Sequence, residues 1–237
     1  SLNWAHVPGV GNVAVVRDVT REMEVAQMKD AMLATVSHEL RTPLAGIMGA
    51  VDVLKMTTSD LPKIKNVIEI IARNGARLLR LVNDLLDRAQ LESGEFNLEE
   101  SPFTPEELER DLTDLIEQHR KIVAIDMALE FRFDRNNHLL GDLGRMVQIM
   151  RNIVDNAVKF TEEGKVTVKV DIEDALIRAR VIDTGKGIPA QQLPDIWKPF
   201  RRSSDFDIRK AQGVGLGLSI AHALVLKMNG DVDVKST

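Results

Sequence analysis

The sequence contains no cysteine, which excludes disulfides, thiolate zinc sites and cysteine nucleophiles. It has no long hydrophobic run either. Stretches such as Ile220 to Met228 fall far below the roughly 20 residues a membrane span needs. The start lacks the basic, apolar, small-residue order of a secretory signal. No basic excess is present: the net charge of −5 argues against nucleic acid or an anionic membrane as main partner. The G-x-x-x-x-G-K-[ST] phosphate loop is missing as well. These absences lead us to expect a cytoplasmic segment without membrane contact, whose full-length parent could carry an anchor upstream. At 237 residues the chain has room for one large domain or two modest ones.

What is present is organised around Ser37-His38-Glu39-Leu40-Arg41-Thr42-Pro43. Leu33, Val36, Leu40, Pro43, Ile47, Ala50 and Leu54 recur at three- and four-residue steps, a heptad seam that predicts a helix over 21–56. His38 then lies at the position furthest from the seam, with Thr42 one turn along on the same face. Pro43 has no N–H for the carbonyl of Glu39, so a bend is expected there. Exposure alone also fits an ordinary solvated histidine. Thr57 to Asp60 break the pattern, and Ser59 or Asp60 can cap a second helix with Pro62 in its first turn. Its seam runs Ile64, Ile68, Ile71, Gly75, Leu78, Val82, Leu85, Ala89. The two helices predict an antiparallel hairpin. One hairpin leaves both seams partly wet, so pairing with a second copy into a four-helix bundle is expected. Upstream, Val13 to Val16 form a short strand-like run, and residues 1–20 read as the end of a sensor domain or as a tail.

Ser93-Gly94 ends the second helix, and 93–104 read as a linker. A helix over about 105–120 starts from Thr104 with Glu106 and Glu107 in its first turn. Leu129, Phe131 and Phe133 alternate as a strand, followed by a turn at Asp134 to Asn137. The helix over about 143–160 carries a core stripe (Met146, Met150, Ile153, Ala157) and a polar stripe (Gln148, Asn152, Asn156, Lys159) suited to a ligand-facing wall. A hairpin then pairs Val166 to Ile172 with Ile177 to Val181 around Glu173-Asp174, and runs into Asp183-Thr184-Gly185-Lys186-Gly187-Ile188-Pro189. Gly185, Gly187 and Ala190 mimic a dinucleotide fingerprint, but Pro189 and Pro194 spoil the helix it needs and no parallel βαβ unit is expected around it. A long charged loop over about 189–212 holds Trp197-Lys198-Pro199-Phe200-Arg201-Arg202. Gly213, Gly215 and Gly217 open an apolar helix, Leu218 to Met228. Glycines at a helix start admit phosphate to the backbone, although a plain hinge has the same composition. A final strand is expected from about Asp231 to Val234.

Taken in order, these motifs resemble the catalytic core of two-component sensor histidine kinases over residues 22–237. Ser37 to Pro43 is similar to the phosphoacceptor box, and Asn152-Ile153-Val154-Asp155-Asn156-Ala157-Val158-Lys159-Phe160-Thr161 to the N box. Asp183 to Ile188 resembles the first glycine box, Trp197 to Phe200 the phenylalanine box, and Gly213 to Leu218 the second glycine box. The resemblance implies a multidomain chain: an all-α antiparallel helical hairpin forming a dimeric four-helix bundle (21–92), a linker (93–104) and a Bergerat-type α/β two-layer sandwich (105–237).

It implies that His38 accepts the γ-phosphoryl group of ATP, with Glu39 taking the ring proton or holding the reactive tautomer, then passes it to an aspartate of a response-regulator receiver domain. Thr42 resembles the residue that orients water for dephosphorylating the regulator. Asp183 would accept from the adenine amino group, and Asn156 would bind Mg²⁺ with Asn152 beside it. Lys159 and the backbone from Gly213 through Gly215 to Gly217 would hold phosphates, with a lid over about 189–215. Gly185, Gly187, Ile188, Phe200, Arg202, Leu216 and Leu218 complete the implied nucleotide-binding set.

Three departures stand out: Gln212 replaces a glycine, Lys198 replaces an acidic residue, and the family's last strand is missing after Thr237. Two other classes compete. ATPases of the chaperone, mismatch-repair and topoisomerase type use a Glu one turn before the magnesium Asn, where this chain has Asn152, an amide that cannot act as a base. A non-catalytic dimeric scaffold would not need Asp183, Asn156 and three lid glycines together.

Overall fold

Two strands, rather than the one expected, precede the helices. In the computed structural model, β1 (Leu2–Val7) and β2 (Gly11–Val16) pair antiparallel with Leu2 opposite Val16. The structure describes residues 2–7, 11–16, 20–56, 61–133, 138–173, 176–200 and 214–236, with side chains over 36–54 and, within these ranges, from 64 onward. The expected loop and caps at 57–60, the turn at 134–137, Asp174, Arg202, Gln212 and Gly213 lie outside the described residues. The chain divides into two compact units, Ser1–Leu78 and Leu79–Thr237, each described by itself.

In the first unit, α1 (Thr20–Met56) is one continuous helix through Pro43, and the start of α2 (Leu61–Ser93) runs beside it. Arg77 of α2 bonds Glu39 of α1 at 2.9 Å, and the Asn74 amide lies against Gly46. The α1 number rises as the α2 number falls, so the helices are antiparallel. The seams are only partly covered. Pro43, Ala50 and Val67 are buried, whereas Leu44, Met48, Ile68 and Val53 are exposed. Val67, absent from the expected seam, takes the buried place that Ile68 does not.

In the second unit α2 ends at Gly94, whose φ of 77° gives the left-handed turn after the helix. The expected linker is partly ordered by packing: Phe96 is buried, and β3 (Ser101–Phe103) pairs antiparallel with β5 (Leu139–Gly141). Thr104 caps α3 (Pro105–Arg120) in a reciprocal box with Glu107. Strand β4 (Asp126–Phe133) follows α3. Asp142 caps α4 (Leu143–Phe160), accepting from Arg145 N at 3.0 Å.

β6 (Lys165–Glu173) pairs parallel with β4 and antiparallel with β7 (Leu176–Asp183), in the order β4-β6-β7. A parallel pair with a helix between its strands therefore does exist, contrary to expectation. It lies upstream of the glycine-rich stretch, which leaves antiparallel β7 and enters turns, not a helix. The dinucleotide reading fails on that ground. The core joins Leu108, Leu112 and Ile116 of α3 and Met150, Val154 and Ala157 of α4 to Val166, Val168, Val170 and Ile172 of β6. Helix α5 (Gly217–Lys227) packs on α4, burying Ile220 and Leu224. The expected last strand is not formed, because residues 231–236 pair with no strand among the described residues. No helix among the described residues is long and apolar enough to cross a membrane.

Candidate functional site

The His38 side chain is exposed on α1. Thr42 Oγ1 donates to the His38 carbonyl at 3.2 Å, the usual way a helical threonine satisfies its hydroxyl. This sets Thr42 one turn along from the imidazole. Glu39 is placed differently from its neighbour. It is only 5 % exposed, and its Oε2 accepts from Arg77 Nη2 at 2.9 Å. The carboxylate expected to take the ring proton is thus held in an ion pair with α2. Arg77 carried no signal in the sequence beyond being one more helical cation.

In the second unit the described boxes are carried by the end of β7, by α4 and by the start of α5. Asp183 closes β7 opposite Val166 and is exposed; its Oδ1 accepts from Gly185 N at 2.9 Å. Thr184 locks the corner onto β6, its N donating to Lys165 O at 3.1 Å and its Oγ1 accepting from Lys165 N at 3.0 Å. A Cβ on Gly185 would stand 2.5 Å from the carbonyl of Phe160, so only glycine lets the corner press onto the end of α4. Gly187 follows, and the Ile188 amide donates to Ser236 Oγ at 2.7 Å.

Lys159 and Lys186 both approach the Phe160 ring, at 5.0 and 5.7 Å, gathering positive charge at this corner. On the other side, Gly217 opens α5 against the Asn152 side chain. The Asn152 Nδ2 is buried and has no hydrogen-bond partner among the described residues. Leu216 is buried and Leu218 half-buried beside it. Asn156, one turn beyond Asn152, is half-buried. Phe200 N donates to Gly215 O at 3.0 Å, tying the phenylalanine box to the second glycine box. Both residues have positive φ, 61° and 76°. Lys198, the departure from the family pattern, bonds Asp195 at 2.6 Å.

A polar seam that the sequence did not reveal joins the last turns of α2 to α4. Gln148, expected on the ligand-facing stripe, instead donates to Asp87 Oδ2 at 2.6 Å. Arg145 donates to Asp87 Oδ1 at 2.8 Å and lies over Phe96. Further along, Asp155 accepts from His119 Nε2 at 2.8 Å, with Arg80 at 3.9 Å. Asp84 lies within this group, and burial, then Asp87 and Asp155, push its carboxyl from 3.8 up to about 6 against the pull of Arg80.

A carboxyl raised on folding favours the folded state while it stays protonated. That contribution is present below pH 4 and lost as pH rises through 6. Two pK units correspond to about 3 kcal/mol at most, and partial solvation reduces this to about 1–2 kcal/mol. Asp84→Asn should therefore stabilise the protein by about 1–2 kcal/mol at pH 7.5 and by little at pH 4. Urea unfolding at the two pH values checks this, and an equal gain at both would reject it.

The chemistry of the second unit is that of a nucleotide-binding helix-and-sheet site, and the first unit presents an exposed histidine on a helical hairpin. Comparison with known proteins agrees with both. Residues 141–237 match the family described as "Histidine kinase-, DNA gyrase B-, and HSP90-like ATPase", and residues 28–94 the "His Kinase A (phospho-acceptor) domain". The chain is 34 % identical over 217 residues to the autoinducer 2 sensor kinase/phosphatase LuxQ of Vibrio parahaemolyticus, covering 89 % of this chain and 25 % of LuxQ. It is 36 % identical over 216 residues to the sensor histidine kinase RcsC of Salmonella typhimurium, covering 90 % of this chain and 22 % of RcsC. It therefore spans about a quarter of the length of these relatives.

Among solved structures it resembles full-length ShkA in complex with AMPPNP, with a TM-score of 0.57 and 32 % identity over 83 % of this chain and 41 % of ShkA. The fold also matches ThkA in complex with the response regulator TrrA (TM-score 0.54, 23 % identity, 97 % of this chain and 68 % of that one). The chain belongs to the two-component sensor histidine kinases and carries their phosphoacceptor helices and ATP-binding domain.

Proposed function

We propose that the chain is a kinase core that phosphorylates His38 from ATP and hands the phosphoryl group to an aspartate of a response-regulator receiver domain. The observation that carries the reading is the buried Asn152 amide, unpartnered among the described residues, where α4 meets the glycine-rich start of α5. A buried N–H without an acceptor is costly, and an anionic oxygen at the helix start would satisfy it. In this reading Asn152, Lys159 and the backbone at Gly215 and Gly217 hold phosphates, and Asp183 receives the adenine amino group beside Gly185, Gly187 and Ile188.

Among the described residues no three or more His, Cys, Asp or Glu side chains are grouped to hold a metal. Magnesium would therefore need phosphate oxygens to complete its shell. The carbonyl oxygen of Asn156 fits such a site. When bound, the ion neutralises phosphate charge during transfer. A ring nitrogen of His38 would bond to the γ-phosphorus as its bond to the bridging oxygen breaks. ADP leaves, and the ring proton goes to Glu39 once that carboxylate is released from Arg77.

We assign 21–92 to the dimerising phosphotransfer hairpin, 93–104 to the linker and 105–237 to ATP binding. Exposed Leu44, Met48, Val53 and Ile68 support pairing of the hairpin with a second copy.

Incubation with γ-labelled ATP and Mg²⁺ tests the reading. The expected product is protein carrying acid-labile, alkali-stable label. Steady phosphate release without labelled protein would point to the ATPase reading, which Asn152 disfavours because an amide cannot activate water. For Thr42, alanine should slow dephosphorylation of the regulator several-fold and leave autophosphorylation intact. Unchanged decay of the phosphorylated regulator would reject that role.

A further inference from the structure

Trp197 and His222 lie far apart in sequence but meet in the fold. Their rings stack with centroids 5.1 Å apart and planes inclined by 24°. His222 stands on α5, five residues beyond Gly217, which rests on Asn152. Trp197 belongs to a chain of tight turns: Gln192 N donates to Pro189 O, Asp195 N to Gln192 O and Lys198 N to Asp195 O. Three residues after Trp197, the Phe200 amide bonds the Gly215 carbonyl at 3.0 Å. Phe200 takes a φ of 61° to do so, which is uncommon for a bulky side chain and persists only where surrounding contacts impose it.

These turns are tied to the glycine-box side of the unit in at least two ways. One is a single backbone hydrogen bond at Gly215. Another is the aromatic stack on α5. The stack therefore stands in a position to fix where the phenylalanine box lies, and through the Phe200–Gly215 bond to set the carbonyl and amide directions of the second glycine box.

We propose that His222 is a positioning residue for nucleotide binding. By stacking on Trp197 it presets the backbone at Gly215 to Gly217 against Asn152. The inference rests on the nucleotide-binding reading of this unit. It concerns binding rather than the chemical step, so its mark is a raised KM for ATP with kcat retained.

The test uses the full chain. Mg²⁺-ATP binding is followed by equilibrium dialysis with labelled ATP, and autophosphorylation by transfer of label to the protein. An aromatic pair is worth a factor of about three to ten. His222→Ala should raise the ATP Kd and KM by about that factor, with kcat at saturating ATP and the thermal midpoint held. His222→Phe, which keeps a planar ring, should restore affinity. Trp197→Ala should match His222→Ala, and the double variant should be no worse than either single one, because both remove the same contact. Normal affinity in His222→Ala, no rescue by Phe, or additive losses in the double variant would overturn the proposal. Absence of ATP binding in the parent protein would instead overturn the nucleotide-binding reading, and this inference with it.

Discussion

Replacing His38 by glutamine should remove the acid-labile label completely, while Mg²⁺-ATP binding should stay at the parent level. Both halves follow from where the residue stands. His38 is exposed on α1, and glutamine is a good helix former that keeps a polar side chain in water. An exposed substitution of this kind moves stability by no more than about 0.5 kcal/mol, so loss of label cannot be assigned to loss of fold. The ATP-binding residues proposed here all lie in the second compact unit, whereas His38 lies in the first. Glutamine offers no ring nitrogen to take the phosphoryl group, so the expected signal is background rather than a reduced rate. Glu39 would be a poor control. Its carboxylate is buried against Arg77, and Glu39→Gln would disturb the packing of α1 on α2 as well as proton transfer. Persistent label in His38→Gln would move the acceptor to another residue. Lost label with lost ATP binding would mean that the substitution acts through structure.

How far the sequence speaks depends on whether a feature is local. Helix α3 was legible because Thr104 with Glu106 and Glu107 marks its start, and α4 because its apolar stripe repeats with a 3.6-residue period; the Asp142 cap emerged only in the structure. The strand β1 was missed, as were β3 and β5, which are three residues each and, among the described residues, pair only with one another. So short a run has no period to read, and its partner lies nearly 40 residues away. The run at 231–234 shows the opposite failure. Alternation defines a face but supplies no neighbour, and no strand among the described residues pairs with it.

The site divides on the same line. Asp183 and Gly185 sit in one turn, so their joint geometry is local, and the Gly185 contact with Phe160 explains why that turn needs glycine. The polar stripe of α4 is not local in this sense. Gln148 and Asn152 are one turn apart and look alike in sequence. Yet Gln148 turns to Asp87 on α2, and the Asn152 amide beside Gly217 has no partner among the described residues. Only the fold separates a structural amide from a ligand-ready one. Spacing on α2 held a hint: Arg80, Asp84 and Asp87 fall on one helical face and interrupt its apolar run.

That face carries the largest expected change in stability. Asp87→Ala should destabilise the second unit by about 3 kcal/mol, the lower end of the cost of breaking a buried ion pair. The Asp87 side chain is 8 % exposed and accepts from both Arg145 and Gln148. Removing it leaves the Arg145 guanidinium with Gln148 Oε1 and the Phe96 ring. Those contacts and the 29 % exposure of Arg145 keep the loss from being larger. Asp87→Asn keeps two acceptor lone pairs and should cost only about 1–2 kcal/mol. Combining Asp87→Ala with Arg145→Met should recover part of the loss, because the stranded charge is then gone. Hydrogen exchange should show the effect first in the α2 amides after Leu78, since their helix loses its charged tie to α4. The same variant removes one of the causes that raise Asp84, so the pH dependence of stability should shift to lower pH. If Asp87→Ala left both the unfolding midpoint and that pH profile unchanged, the seam would not tie α2 to α4.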